Sequence, residues 1–146
     1  MKLHPHANLF KYHSVIGHIF HPNIKVRIPH ESGGYLVKTN EIGFRSKKIP
    51  RNPEIDIIVF GDSFTAGDGV SNKYRWTDRL NDFLPPDQRH LLFHNFGLSG
   101  SGTDQQYLIW REFARETKAK FIIVAVLVEN IRRNIAKFRP IIDSDG

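Results

Sequence analysis

Residues Phe60 to Gly69 read FGDSFTAGDG and follow the apolar run Ile55, Ile57, Ile58 and Val59. A hydrophobic strand ending in a glycine-flanked serine presents that serine at the carboxyl edge of a parallel sheet, where open α/β proteins bind ligands. Ser63 is therefore the candidate nucleophile, and its chemistry is attack of an alcohol oxygen on an acyl carbon. Gly61 lets the chain turn sharply off the strand, and Gly67 and Gly69 permit positive φ and close backbone approach in the following loop. Two more clusters stand in corresponding places. Asn95, Phe96, Gly97, Leu98, Ser99 and Gly100 follow the apolar run Leu91 to Phe93, and Glu129, Asn130 and Ile131 follow the run Phe121 to Val128.

The first cluster closely resembles the first sequence block of the GDSL family, also called SGNH hydrolases, in which Gly-Asp-Ser-Phe/Leu carries the esterase serine. The second fits the family's Asn-x-Gly-x-Ser-Gly pattern, and two blocks in order, each at a strand end, are far more specific than either alone. By this resemblance the N–H groups of Ser63 and Gly97 donate to the oxyanion formed when an ester carbonyl is attacked, and Asp62 anchors the serine turn. The third cluster departs from the family's Gly-x-Asn-Asp, whose Asn completes the oxyanion hole. One alignment puts Glu129 in the Asn position, and a shift of one residue puts Asn130 there. A carboxylate would oppose the developing negative charge, so chemistry favours Asn130 as donor and another job for Glu129. A plain helix N-cap at Asn130 is the competing reading.

The fourth family block, an Asp-x-x-His near the carboxyl end that supplies the base, has no counterpart after the third cluster, where no His occurs; the one such spacing in the chain, Asp87 to His90, precedes the second cluster. The expectation is an amino-terminal part of such a domain, truncated at its carboxyl end. A serine with no partner to take its proton forgoes about 10²–10⁴ in rate. The chain is therefore expected to cleave a simple aryl acetate little faster than its Ser63→Ala variant, and to show uncovered sheet edge that favours self-association or packing with the missing part.

The elements that must position these residues alternate. From residue 53 onward the pattern reads strand (Ile55 to Phe60), helix (Trp76 to Leu84, ended by Pro85 and Pro86), strand (Leu91 to Phe96), helix (Thr103 to Thr117), strand (Phe121 to Val128). Alternating β and α elements predict a parallel sheet, and the resemblance implies a three-layer α/β/α, flavodoxin-like fold with the first strand between the other two. Residues 1–52 read as an extension containing one β-hairpin, Lys25 to Ile28 with Tyr35 to Thr39, and residues 53–146 as the α/β domain. Within the extension, Asn40, Gly43, Phe44 and Arg45 resemble a lead-in seen in some GDSL-like proteins. Phe44 is expected to pack on the sheet edge and Arg45 to pair with an acidic residue, and Arg45 is the residue to examine if the stretch is functional.

At 146 residues and 40% hydrophobic content, the chain has enough material for one core. No apolar stretch has the length of a membrane span, and the first ten residues lack a secretory core, which points to the cytoplasm even though family esterases are often secreted. With no cysteine, disulfides and thiolate chemistry are excluded. The formal charge of +6 is spread over the chain, including Lys47, Lys48, Arg51, Lys137 and Arg139, without a nucleic-acid reading motif. Arg132 and Arg133 form the basic pair nearest the site. The eight histidines match no metal spacing, and neither a metal nor another cofactor is expected. His94 reads as a packed strand residue and the others as surface or terminal ones, with His30 in the hairpin loop the one to consider as a stand-in base if it comes within hydrogen-bond reach of Ser63. The terminal Asp143 to Gly146 echoes a calcium loop but lacks its distal Glu.

The sequence thus points to a serine esterase of SGNH type, with Ser63, Gly97 and Asn130 catalytic and Asp62, Glu129 and Arg132 around the substrate. The expected substrate is an O-acyl ester, most plausibly on a carbohydrate. The alternative is a non-catalytic binding or scaffold domain that kept the fold after its site decayed.

Overall fold

A computed structural model of the chain describes residues 9–31, 33–47, 57–88 and 91–135. His4, His6, Lys48, Arg51, Ile55, Asp56, Lys137, Arg139 and the terminal Asp143 to Gly146 lie outside the described residues.

Among the described residues seven strands and three helices carry the architecture. Strands β1 (Phe10–His13) and β2 (Gly17–Phe20) pair antiparallel, as do β3 (Lys25–Ile28) and β4 (Tyr35–Lys38). Strand β5 (Ile57–Phe60) leads into the one-turn helix α1 (Ser63–Ala66), α2 (Trp76–Phe83), β6 (Phe93–Asn95), α3 (Thr103–Ile109) and β7 (Phe121–Val124). A π turn over Trp110–Ala114 extends α3, and a 3-10 segment spans Val128–Ile135.

The sheet has the expected order, β6-β5-β7, with both pairings parallel. β5 is entirely apolar and buried at all four positions, as a central parallel strand covered on both faces must be. Its alternate residues serve two layers. Ile57 and Val59 pack with Phe93 against Leu80 and Leu84 of the α2 side, while Ile58 and Phe60 join Ile109 and Ala114 of the α3 side. Helices on opposite faces make the three-layer arrangement. β7 differs: it is apolar yet exposed at every position, from 63% at Phe121 to 37% at Ile123, so among the described residues it is an uncovered edge.

The described residues before 53 contain two hairpins. The second has the predicted strands, and the first is a hairpin beyond the single one expected in this segment. His13 and His18 belong to it: the His13 Nδ1 accepts from the N–H groups of Val15 and Ile16, and the His18 Nε2 lies 2.9 Å from the Ser99 carbonyl. Leu9, Ile16, Ile19 and Phe20 of this hairpin and Ile28, Tyr35 and Val37 of the second join the same hydrophobic cluster as Ile58, Phe60, Phe96 and Leu98. Phe44 is the joint. Asn40 Oδ1 accepts from the N–H groups of Ile42 and Phe44, and Gly43, at φ +84°, turns the chain where any side chain would meet the Phe20 carbonyl. The turn drives Phe44 into the core, fully buried, with ring centroids 5.0 Å from Phe96 and 5.3 Å from Phe113. Phe44 is thus a core residue and not a sheet-edge one.

Truncating so buried a ring removes about 3–5 kcal/mol. Phe44→Ala is expected to lower the unfolding free energy by that amount in urea titration, and a loss below about 1 kcal/mol would show that the hairpins and sheet do not share one core.

Candidate active site

Ser63 is the first residue of α1, and the turn is held at both ends. Ahead of it, Asp62 caps the helix, its Oδ1 accepting from the Phe64 N–H at 3.0 Å. Behind it, Gly67 ends the helix in left-handed geometry (φ +81°, ψ +47°), and the N–H groups of Gly67 and Asp68 donate to the Ser63 carbonyl at 2.8 and 3.0 Å. Thr65 and Ala66 face inward, Phe64 is exposed, and Ser63 is half-buried. Among the described residues neither its hydroxyl nor its N–H has a hydrogen-bond partner. The His30 ring lies against Gly69 and meets the Tyr35 ring edge-on at 5.9 Å, so His30 is not seated on Ser63 as a base.

The third cluster comes to Ser63 through Asp62. Asn130 is 1% exposed, and its Nδ2 donates to Asp62 Oδ2 at 2.6 Å, while its Oδ1 is buried with no partner. Asn130 lies inside the 3-10 segment, its N–H donating to the Leu127 carbonyl, so it is not an N-cap. Glu129 is exposed. A 3-10 helix repeats every three residues, which puts Asn130 and Arg133 on one side and Glu129 and Arg132 on another. Arg133 accordingly reaches the site, donating to the Ser101 carbonyl at 3.0 Å with its Nη1 4.0 Å from Asp62 Oδ2, and Arg132 is exposed. Of the basic pair, Arg133 is the one beside the carboxylate.

Gly97 requires a correction. Its N–H donates to Asn95 Oδ1 at 2.8 Å and is buried, which occupies the donor assigned to an oxyanion. What Gly97 supplies is space: a Cβ there would collide with the Ala66 nitrogen and lie 2.7 Å from the Thr65 carbonyl carbon, so the second cluster packs directly under α1. Asn95, which opens the second cluster but was given no role of its own from the sequence, ties the two together, its Nδ2 donating to the Thr65 carbonyl at 2.6 Å and to Thr77 Oγ1 at 2.8 Å. Farther along the loop, Leu98 N–H and Ser101 Oγ donate to the Gly61 carbonyl, and Ser99 Oγ donates to Asp68.

Arg45 also departs from expectation. It is fully buried and bonds no carboxylate among the described residues, donating instead to the carbonyls of Gly67 and Val70 and to Asn72 Oδ1. Its guanidinium lies 5.8 Å from the Tyr35 ring centroid, and its own carbonyl accepts from Arg75, which pairs with Asp78 at 2.6 Å. Burial, helped by the nearby Arg75 charge, lowers Arg45 to about 10, so it stays protonated at neutral pH. Burial likewise lowers Arg75, with Asp78 opposing.

The strand ends of β5, β6 and β7 thus bring a serine turn, a glycine loop and a buried asparagine to one place. The sequence model of the GDSL-like Lipase/Acylhydrolase family matches residues 57–141, which contain all three clusters. The chain belongs to the GDSL-like lipase/acylhydrolase family. Membership brings hydrolase chemistry on acyl esters. The match begins at β5, so both hairpins and Arg45 precede the GDSL-like region. A comparison with curated proteins returned no match. Among the described residues no helix is long and apolar enough to cross a membrane, and no group of three His, Asp or Glu side chains is arranged to hold a metal ion.

Gly97→Ala separates the two roles of that glycine, because alanine keeps the N–H but adds the Cβ. Overpacking against the α1 backbone should cost about 1–3 kcal/mol in urea titration. A variant as stable as the wild type would contradict the packing role.

Proposed function

We propose that this GDSL-family chain acts as a serine ester hydrolase on O-acyl esters, with carbohydrate O-acyl groups as the favoured class. The observation that carries the reading is the Asp62 carboxylate, which joins the serine turn to the buried Asn130 amide. In this mechanism the Ser63 oxygen attacks the acyl carbon and its proton passes to a base. The Ser63 N–H and the second Nδ2 hydrogen of Asn130 stabilise the oxyanion, the carbonyl re-forms as the alcohol leaves, and water then hydrolyses the acyl-serine. An open groove of about 250 Å³ between α3 and the exposed face of β7, lined by Phe60, Thr103, Gln106, Tyr107, Trp110, Ile122 and Val124, is mostly apolar and could take an apolar acyl group. A larger one of about 350 Å³, formed by residues 111–116, holds none of the site residues. Glu129 and Arg132, exposed on the segment that carries Asn130, offer polar contacts to a hydroxyl-rich alcohol, as does exposed Phe64 by stacking.

The unpartnered Ser63 hydroxyl favours a second reading, a domain that keeps the fold without turnover. The exposed position of Glu129 speaks against a carboxylate blocking the oxyanion.

The two readings part when a base is supplied from solution. Cleavage of an acetylated sugar is compared for wild type and Ser63→Ala over a range of imidazole concentrations. The expected difference is small in plain buffer and grows by about 10²-fold or more as imidazole rises, general-base assistance being of that order. No Ser63-dependent cleavage at any imidazole concentration would favour the non-catalytic reading. Strong Ser63-dependent cleavage without imidazole would mean the chain holds its own base, with His30→Ala the next variant to measure.

A further inference from the structure

Arg45 stands outside the family match, yet its hydrogen bonds lead to the serine. Its Nη1 donates to the Gly67 carbonyl at 2.7 Å. That carbonyl belongs to the same peptide group as the Asp68 N–H, which donates to the Ser63 carbonyl at 3.0 Å. A peptide group is planar and stiff, so a hold on its oxygen fixes the direction of its N–H. Guanidinium, peptide and Ser63 carbonyl therefore form one hydrogen-bonded series, and bonds in series polarise and strengthen one another. The rest of the guanidinium spreads along the loop, Nη2 to the Val70 carbonyl at 2.6 Å and to Asn72 Oδ1 at 3.1 Å, Nε to Asn72 Oδ1 at 3.2 Å. Asn72 in turn exchanges two bonds with the backbone of Lys38, and Ser71 Oγ accepts from the Leu36 N–H, which moors the loop to β4.

The arrangement has a use because α1 is a single turn, and an isolated turn does not hold its own geometry. Packing alone is better served by an apolar side chain, since burying a charge whose hydrogen-bond partners are all neutral is costly. Arginine suits the position through its fork, which binds Gly67, Val70 and Asn72 at once, and lysine lacks that geometry.

We propose that Arg45 is a positioning residue for Ser63: through the Gly67–Asp68 peptide it fixes the serine main chain, and with it the directions of the attacking hydroxyl and of the N–H offered to the oxyanion. The proposal rests on the esterase reading of Ser63, and the test separates the two. Arg45→Met, Arg45→Lys and Asn72→Ala are compared with wild type by amide hydrogen exchange and by Ser63-dependent cleavage in saturating imidazole.

In Arg45→Met the amides of Gly67 and Asp68 should exchange about 10-fold or more faster, while those of Ile58 and Val59 keep their protection. Loss of alignment should lower kcat about 10- to 100-fold and leave KM within about 2-fold, since misplacement by about 1 Å costs of that order. Arg45→Lys should resemble Arg45→Met. Full kcat in the lysine variant would mean that charge and not the fork matters, and would overturn the proposal. So would unchanged Gly67 and Asp68 exchange, or faster exchange with unchanged kcat. If the Arg45 variants do not fold, Asn72→Ala carries the test with the same pattern at smaller amplitude, and an unchanged Asn72→Ala overturns it. Absence of Ser63-dependent cleavage in the wild type defeats the esterase reading itself and, with it, the catalytic half of the proposal.

Discussion

A buried carboxylate has to have its oxygens satisfied, and the two oxygens of Asp62 take partners from different ends of the site. One accepts from the Phe64 N–H and so starts the helix that presents Ser63. The other accepts from the Asn130 amide and so fixes where the chain goes after β7. Residues 68 positions apart are thereby held by one side chain. Arg133, half-exposed at 4.0 Å, adds a partly screened favourable charge. Neither the serine turn nor the asparagine has an equivalent tether to the other among the described residues.

Around that carboxylate the serine turn is held from three further directions. Gly97 lies under it with no side chain, so the second cluster can approach the α1 backbone, and Asn95 bonds the Thr65 carbonyl from the same side. Arg45 holds the far end through Gly67. The sheet explains why these converge: β6, β5 and β7 run parallel and in register, so the loops that leave them emerge at one edge. The hairpins then close one face through Phe44 and the cluster around it.

The parts legible in the sequence were those governed by local pattern. Apolar runs of parallel-strand type, the break at Pro85 and the alternation of β and α elements located the sheet and helices to within a few residues, and the family resemblance with right-handed crossovers gave the strand order. Ser63 was picked out by its glycine-flanked turn at a strand end, Asp62 and Asn130 through the resemblance, with charge preferring Asn130 to Glu129, and the structure joins the last two by a hydrogen bond. What was hidden depended on period or on tertiary contact. Arg132 stood out by adjacency, but the 3-10 repeat of Val128–Ile135 turns Arg133 and not Arg132 toward Asp62. The Gly97 donor is taken by the side chain of Asn95 two residues before it, an Asx-turn spacing that competes with the oxyanion role. β1 and β2 lacked a strong turn signal, and Arg45 bonds backbone carbonyls that a search for acidic partners passes over.

The central claim is that Asp62 and Asn130 act as one unit, and a double-mutant cycle measures it most directly. Asp62→Ala, Asn130→Ala and the double variant are compared with wild type by urea unfolding. A charge-assisted, buried hydrogen bond predicts a coupling energy of about 1.5–3 kcal/mol, with the double variant losing less than the sum of the singles. Additive losses, with coupling within about 0.3–0.5 kcal/mol of zero, would contradict the account.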